Sequence, residues 1–182
     1  MLARTHLAFA LGIATLPLYA LSLVDKATLQ GVEVSLYLGG IALGSLLPDI
    51  DEPNSTLGRQ LPLLSSLIHR LFGHRGATHS FLFPFGVALL GWGIASSQGI
   101  PLEAVIGLWL GVWLHLIGDM LTKSGIPLWL PWSERPIALL PLSYRFKTGG
   151  IIDLALGGIF GALFTYLGLN LWGSSLSITR FL

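Results

Sequence analysis

The chain has 182 residues, of which 53% are hydrophobic and only 10% are charged, and its mean hydropathy is +0.75. Soluble domains carry about 25% charged residues, so this composition excludes an ordinary soluble domain and predicts an integral membrane protein. The net charge of +1 and the lack of a basic run give no sign of a nucleic-acid partner, and none is expected. The absence of cysteine excludes disulfides and cysteine nucleophiles, so any metal must be bound by His, Asp and Glu.

Five apolar segments are interpreted as membrane-spanning helices, because a bilayer core of about 30 Å needs about 20 apolar residues in a helix. In chain order they are Leu7–Val24, Val34–Leu47, Phe81 to about Ser96, Ala104–Leu121 and Ile151–Trp172. The second segment is short for a span, and a re-entrant helix is the alternative there. The sequence therefore predicts an all-α bundle of four or five transmembrane helices in a single domain, residues 1–182.

A shorter segment between the second and third spans has apolar residues on one helical face and polar residues on the other. The apolar face holds Leu64, Leu67, Ile68, Leu71 and Phe72. The opposite face holds Ser65, Ser66, His69 and Arg70. This pattern predicts an amphipathic helix in the membrane interface, with its polar face in water. A later loop that contains Trp129, Trp132 and several prolines predicts a second interfacial segment.

The basic residues predict the orientation of the chain in the membrane. The five spans place all but two of them on the side of the N-terminus: Arg4, Arg59, Arg70, Arg75, Lys123, Arg135, Arg145 and Lys147. The opposite side keeps Lys26 and Arg180. Because cytoplasmic loops are enriched in Lys and Arg, we expect a cytoplasmic N-terminus and a C-terminus outside.

The segment GSLLPDIDEPNSTLGR, residues 44–59, brings two carboxylates to the end of the second apolar segment. Pro48 ends or kinks the preceding helix. If the chain is extended after it, Asp49 and Asp51 point the same way. Two carboxylates on one face repel each other unless a cation or a proton lies between them. The segment therefore indicates either a divalent metal site or a solvated acidic turn.

The other ligand-type residues fall on the same side of the predicted bundle. His6 begins the first span, and His74 and His79 precede the third. His115 and Asp119 are four residues apart near the end of the fourth span, so they share one helix face. Asp153 begins the fifth span. Ionisable residues inside a membrane usually mark a functional site, which favours a metal centre.

Each of these residues also has a purely structural interpretation. His115 and Asp119 can satisfy each other by hydrogen bonding within the bundle. His74 and Arg75 can contact lipid phosphates. His6 can be an ordinary interfacial residue.

Several short motifs together resemble a known family. They are Thr5-His6, GSLLPDID at 44–51, HRGATHS at 74–80, HLIGD at 115–119 and KSGIPLWLPW at 123–132. In this combination they resemble the YdjM-like family of membrane-bound metal-dependent hydrolases. That family is in turn distantly similar to zinc-dependent phospholipase C and P1-type nucleases, which are helical enzymes with clustered metals.

The resemblance implies a set of metal ligands in chain order. They are His6, Asp49 or Asp51, His79, and His115 with Asp119, to which His74 and Asp153 are possible additions. The acid Asp153 follows Thr148-Gly149-Gly150, a turn that is similar to one found in the membrane family. A second His-x-x-x-Glu pair, typical of the phospholipases, is absent downstream, which favours one or two ions over three.

These observations lead to one expected function. We expect a metal-dependent hydrolase of a phosphoester, in a lipid headgroup, at the cytoplasmic face of a prokaryotic inner membrane. Several histidines favour zinc, with manganese or magnesium as alternatives. Asp49 or Asp51 is expected to be a ligand or the general base, and Arg75 a catalytic residue. Four basic residues are expected to bind phosphate: Arg75, Arg59, Lys123 and Arg145.

Two other classes of protein remain as alternatives. A metal or proton transporter would place its acids near the middle of the spans, whereas His115 and Asp119 are near one end. A non-catalytic membrane scaffold would use the polar cluster only to hold helices together. The substrate and the oligomeric state do not follow from the sequence.

Overall fold

The computed structural model describes the backbone of residues 1–24 and 32–178, and the side chains of these residues as far as residue 171. Lys26 and Arg180, which enter the predicted orientation, lie outside the described residues. The described chain is helical, with α1 Ala3–Val24, α2 Val32–Gly44, α3 Pro62–Phe72, α4 Leu82–Gln98, α5 Leu102–Met120 and α6 Ile151–Ile178. Within these residues β pairing is limited to two isolated bridges, so the predicted all-α class is confirmed.

Three helices in the described residues are long and apolar enough to cross a membrane: Ala3–Val24, Leu102–Met120 and Ile151–Leu171. Helix α4 is a shorter apolar helix of 17 residues. Helix α2 has 13 residues and is about 20 Å long at about 1.5 Å per residue, too short for a core of about 30 Å. The bundle therefore has fewer full-length spans than the five apolar segments predict.

Helices α2 and α5 pack with their backbones in contact, because glycines face each other where the two helices meet. Gly40 and Gly44 on α2, and Gly107 and Gly111 on α5, recur at a spacing of four residues and share a helix face. A Cβ added at any of the four would lie 2.1–2.4 Å from a carbonyl oxygen of the other helix. Small residues at this spacing are typical of closely packed membrane helices. The end of α2 is thereby held against the part of α5 that leads to His115.

Helix α1 packs on the other side of the bundle, between α6 and the α2–α5 pair. Phe9 on α1 meets Phe160 on α6 edge to face, with ring centroids 4.9 Å apart. Gly12 allows the same close approach, since a Cβ there would lie 2.9 Å from the Phe160 carbonyl oxygen. This packing fixes the start of α1 beside the start of α6 and the end of α5.

Helix α3 is amphipathic as predicted, but its polar face does not lie wholly in water. Leu64, Leu67 and Leu71 are exposed on the apolar side. Ser65 is fully buried, and the Nδ1 of His69 donates a hydrogen bond of 2.8 Å to the carbonyl oxygen of Asp51. The prediction that Ser65 and His69 face water is wrong, because the acidic segment after α2 packs against this face of the helix.

Candidate metal centre

The polar residues of the bundle meet at one end, where five segments of the chain come together. The contributing segments are the start of α1, the 3₁₀ turn Leu47–Asp51, the 3₁₀ turn Ala77–His79, the end of α5 and the start of α6. The buried ionisable side chains there are His6, Asp51, His79, His115, Asp119 and Asp153. Asp49 lies at the edge, with 20% of its side chain exposed. The structure thus brings together residues that lie more than 100 positions apart in the sequence.

The 3₁₀ turn Leu47–Asp51 sends the two aspartates of the acidic segment in different directions. Both carboxylates would lie on one side of the segment only if it were extended. A 3₁₀ helix has three residues per turn, so residues two apart point about 120° away from each other. Asp49 and Asp51 consequently have different neighbours and different roles.

Asp49, His79 and His115 form one set of converging ligand atoms, which we name the Asp49 group. The Asp49 Oδ1 lies 4.0 Å from the Nε2 of His79 and 3.7 Å from the Nε2 of His115. Both Nε2 atoms are buried and have no hydrogen-bond partner among the described residues. Ligand atoms around a tetrahedral zinc ion with bonds of about 2.0–2.1 Å lie roughly 3.4 Å apart. The observed 3.7 Å and 4.0 Å exceed that value by about 0.3 and 0.6 Å, so both nitrogens and the carboxylate would move slightly closer around an ion.

Hydrogen bonds from the other ring nitrogens orient both imidazoles of the Asp49 group. The Nδ1 of His115 lies 2.7 Å from the carbonyl oxygen of Ser45 and must donate to it, because a carbonyl only accepts. The Nδ1 of His79 lies 3.2 Å from Asp51 Oδ2 and 3.1 Å from the Thr78 hydroxyl. The Thr78 hydroxyl itself donates to Asp51, so the His79 Nδ1 is also a donor. In the neutral form of each ring the Nε2 atom therefore carries the lone pair, the form that binds a metal.

Asp51 contacts the His79 ring at Nδ1, on the side away from Asp49, and is not one of the converging ligands. Its Oδ2 also accepts from the backbone N–H of Arg75 at 2.8 Å and from the Thr78 hydroxyl at 2.6 Å, and its Oδ1 contacts His74 at 3.2 Å. Burial by itself raises the pKa of Asp51, but the hydrogen bonds from His74, His79 and Thr78 outweigh it and hold the pKa below its usual value. Asp51 is thus an ionised partner of His79, where the sequence analysis expected a ligand or a base.

His74 also stands outside the converging atoms, although the sequence analysis named it as a possible ligand. Its side chain is 43% exposed and contacts Asp51 and, at 3.8 Å, Glu52. The hydrogen bond with Asp51 raises the pKa of His74.

His6, Asp119 and Arg75 form a second set, which we name the Asp119 group. The Nε2 of His6 lies 3.2 Å from Asp119 Oδ1, and the Nη2 of Arg75 lies 2.9 Å from Asp119 Oδ2. The amino group of Met1 also contacts Asp119 Oδ1. The ring of His6 stacks on that of His115 with centroids 3.7 Å apart, so the two groups touch. His6, His115 and Asp119 can also converge on an ion, but the charge of Asp119 already has cationic partners.

Arg75 makes its contacts from an unusual backbone conformation. Its φ is +58°, a left-handed value that is uncommon for a residue with a side chain. The guanidinium also donates to the Ser124 hydroxyl and, at 3.1 Å, to the Gly125 carbonyl oxygen. The sequence analysis expected Arg75 to bind substrate phosphate, whereas in the structure its guanidinium is engaged with Asp119 and the loop that follows α5.

A cavity of about 330 Å³ opens beside Asp49 and gives access to the edge of the Asp49 group. It is lined by Met1, Leu2, Ala3, Asp49, Glu52, Asn54, Ser55, Thr56 and Arg59. Arg59 is the basic residue of this wall, and its guanidinium donates a hydrogen bond of 2.6 Å to the Asn54 carbonyl oxygen. Arg59 therefore lies on the same cavity wall as Asp49, and its expected role in binding phosphate stays a prediction.

The remaining predicted site residues lie apart from both groups. Arg145 donates to the Leu140 carbonyl oxygen within its own loop, and Lys123 is exposed. Asp153 is buried and accepts from the backbone N–H groups of Leu2 at 3.0 Å and Gly149 at 2.8 Å. Asp153 therefore joins the start of α1 to the start of α6. Neither Lys123 nor Arg145 contacts the two groups in the described part of the chain.

The donor set of the Asp49 group fits a divalent metal ion. Two buried imidazole nitrogens carry lone pairs and have no hydrogen-bond partner within the described residues, and a carboxylate oxygen faces both of them. A buried polar atom without a partner is costly, and a bound cation would satisfy both nitrogens at once.

Fold and site together define an integral-membrane helix bundle with a buried His/Asp cluster at one end that can hold a metal ion. The sequence matches the family described as YdjM inner membrane protein over residues 1–178, and the chain belongs to that family. The fold class and the suspected family are thereby confirmed, and the protein is an integral inner membrane protein. No solved structure matches the chain.

Individual relatives carry similar names. The chain is 44% identical to Inner membrane protein YdjM of Escherichia coli (strain K12) over 102 residues, which cover 54% of this chain and 52% of that protein. The same values hold for Inner membrane protein YdjM of Shigella flexneri. The chain thus covers about half of the length of these two relatives. It is 36% identical to Uncharacterized protein YvsG of Bacillus subtilis (strain 168) over 139 residues, 76% of this chain and 82% of that protein.

Proposed function

We propose that this protein is a metal-dependent hydrolase of a phosphoester in a lipid headgroup, acting at the cytoplasmic face of the inner membrane. The observation that carries the proposal is the convergence of the Asp49 carboxylate with the Nε2 atoms of His79 and His115. Two histidines and one carboxylate are the protein ligands of several zinc hydrolases, in which a fourth position is left for water or substrate.

Asp49, His79 and His115 would hold one divalent ion, with zinc favoured and manganese or magnesium as alternatives. When bound, such an ion increases the acidity of water and polarises a phosphoryl oxygen. The choice of one ion rests on two observations. His115 has a single free nitrogen, since its Nδ1 donates to Ser45. The charge of Asp119 is already balanced by Arg75, so no second cation is needed there.

Side chains and backbone groups of the protein would orient the metal ligands and the substrate phosphate. Asp51 and Thr78 fix the ring of His79, and the Ser45 carbonyl fixes that of His115. Asp49 also lines the cavity, so this carboxylate can serve either as a ligand or as the base that takes a proton from water. Arg59 on the same wall would donate to phosphate oxygens. Asp51 is unsuited to be the base because both of its oxygens already accept hydrogen bonds.

Metal analysis of purified protein followed by headgroup-release assays tests the proposal. We expect about one ion per chain for a single tetrahedral site. Vesicles of phosphatidylethanolamine, phosphatidylglycerol or cardiolipin should lose headgroup with wild-type protein. They should not do so with His79→Ala or after chelation, and added zinc should restore the wild-type activity. Activity in protein without bound metal would refute the metal centre, and loaded protein that attacks no phosphoester would refute the reaction.

The side of the membrane needs a separate experiment. Reporter fusions within the cavity segment, for example after Ser55, should report a cytoplasmic position. A periplasmic signal would refute the proposed side and leave the chemistry unaffected.

A further inference from the structure

A second cavity, of about 550 Å³, lies at the start of α4 on the far side of the segment that carries His79. Its wall is formed by α3, by the turn before α4, by α4 itself and by the loop after α5. The lining residues are Leu71, Phe72, Gly76, Ala77, Ser80, Leu82, Phe83, Leu130 and Pro131. We infer that this cavity binds one acyl chain of a membrane phospholipid.

The chemistry of the lining selects an apolar occupant. None of the described residues that line it carries a charge. Its one side-chain hydroxyl, on Ser80, already donates to the Ala77 carbonyl oxygen at 2.7 Å. A headgroup would therefore find no ion pair and no free donor, whereas an acyl chain needs neither and can pack against the apolar lining. The volume lies within the range of about 300–1,000 Å³ that holds small organic ligands.

The position of the cavity identifies the membrane as the source of that occupant. Leu71 and Phe72 belong both to its wall and to the exposed apolar face of α3, so the cavity is continuous with the surface that meets lipid. Trp129 and Trp132, which flank its Leu130–Pro131 wall, are exposed. Exposed tryptophans of this kind are typical of the membrane–water boundary. Acyl chains are the apolar ligands present at high concentration at that depth.

The shared wall places this acyl-chain site next to the polar cluster. Gly76, Ala77 and Ser80 line the cavity, while Thr78 and His79 of the same segment face Asp51 on the other side. The inference does not depend on the proposed hydrolysis, because it concerns binding and its test measures binding.

Photolabelling in vesicles tests the acyl-chain site. The protein is placed in phosphatidylethanolamine–phosphatidylglycerol vesicles with a trace of phospholipid that bears a diazirine in its acyl chain. Adducts are then mapped by peptide mass spectrometry. We expect them to concentrate in residues 71–83 and 128–132 and to fall when unlabelled lipid is added. Adducts spread evenly over these peptides and the exposed surface around Leu89 and Leu90 would overturn the inference.

Two blocking variants and a matched control sharpen the result. Leu82→Trp on α4 and Leu71→Trp on α3 enlarge two side chains that line the cavity. Each should reduce cavity adducts about tenfold, because the larger indole takes up space that the acyl chain needs. Leu89→Trp changes an exposed residue of the same helix that does not line the cavity and should leave cavity adducts unchanged. Equal labelling in all three variants would refute the site.

The chain has no cysteine, so a single introduced thiol distinguishes lipid from a second copy of the protein. Leu82→Cys should remain monomeric under mild oxidation if an acyl chain fills the cavity. Efficient disulfide dimers would show that another copy packs there and would overturn the assignment.

Discussion

On one side of His115 the Asp49 carboxylate faces two imidazole nitrogens that have no hydrogen-bond partner among the described residues, although the Nε2 of His79 also lies 3.8 Å from Asp119 Oδ2. On the other side the Asp119 carboxylate contacts Arg75 and His6. Both groups lie at the same end of the bundle and touch through the stacked rings of His6 and His115. The Asp119 group has its positive charge supplied by the chain, whereas the Asp49 group has converging ligand atoms that could hold a metal ion. The comparison teaches that two adjoining His/Asp groups can differ in whether side chains of the protein already compensate their carboxylate charge.

The largest expected effect is the loss of metal when a ligand of the Asp49 group is removed. His115→Ala deletes the nitrogen that faces Asp49, so its metal affinity should fall by more than the about 10–100-fold typical of outer-shell changes. Isothermal titration with zinc and elemental analysis measure this. Circular dichroism of the same sample checks that the helices persist. Full metal occupancy in a folded variant would place the ion elsewhere.

A smaller loss of metal affinity is expected when Asp51, which contacts the Nδ1 of His79, is changed. Asp51→Asn keeps the size of the side chain but weakens its hold on the His79 ring, so affinity should fall about 10–100-fold without being abolished. Glu52→Gln is the matched control, because it neutralises the neighbouring carboxylate, which lies outside the Asp49 group. Equal affinity in Asp51→Asn and wild type would mean that His79 needs no such support.

A substitution in the Asp119 group is expected to lower the stability of the fold and to leave metal binding unchanged. Arg75→Gln leaves the nearly buried Asp119 without its guanidinium, although His6 and the Met1 amino group still contact it. The cost should therefore be smaller than the roughly 3–5 kcal/mol of a buried charge left without any partner. Thermal unfolding in detergent should shift downwards while the bound metal per folded chain stays unchanged. Loss of metal at constant stability would show that the two groups act as one.

The smallest effect is expected at His69, on the face of α3 that packs on the acidic turn. His69→Ala removes one hydrogen bond to the Asp51 carbonyl, worth about 1 kcal/mol, and touches neither group directly. Metal affinity and headgroup release should stay within about twofold of wild type, since the Asp51 carboxylate keeps its other partners. A loss as large as that in Asp51→Asn would show that α3 controls the centre.

Much of the fold followed from the sequence because the relevant signals are local. Apolar run lengths predicted the helices, and the four-residue spacing of His115 and Asp119 predicted their common face. The end of α2 was placed too late, at Leu47 instead of Gly44, since its apolar run continues through Leu46 and Leu47 into the turn that contains Pro48.

The sequence predicted which residues come together at one end of the bundle, but it did not predict the contacts between them. The roles of Asp49 and Asp51 depended on whether their segment is extended or 3₁₀, which composition does not decide. Ser45 was missed because it acts through its backbone carbonyl, which any residue carries. Thr78 was missed as well, although its position beside His79 in the HRGATHS motif was a usable signal. The ion pair of Arg75 depends on a left-handed backbone that nothing in the sequence signals.

The glycine contact between α2 and α5 also bears on where a proton resides. The His115 Nδ1–H reaches the Ser45 carbonyl only because Gly44 and Gly111 let the two backbones touch. If the helices separated by the width of a methyl group, that hydrogen bond would lengthen, and either ring nitrogen could then carry the hydrogen. The lone pair at Nε2 would no longer be assured. The distance between α2 and α5 therefore controls which nitrogen of His115 carries the hydrogen.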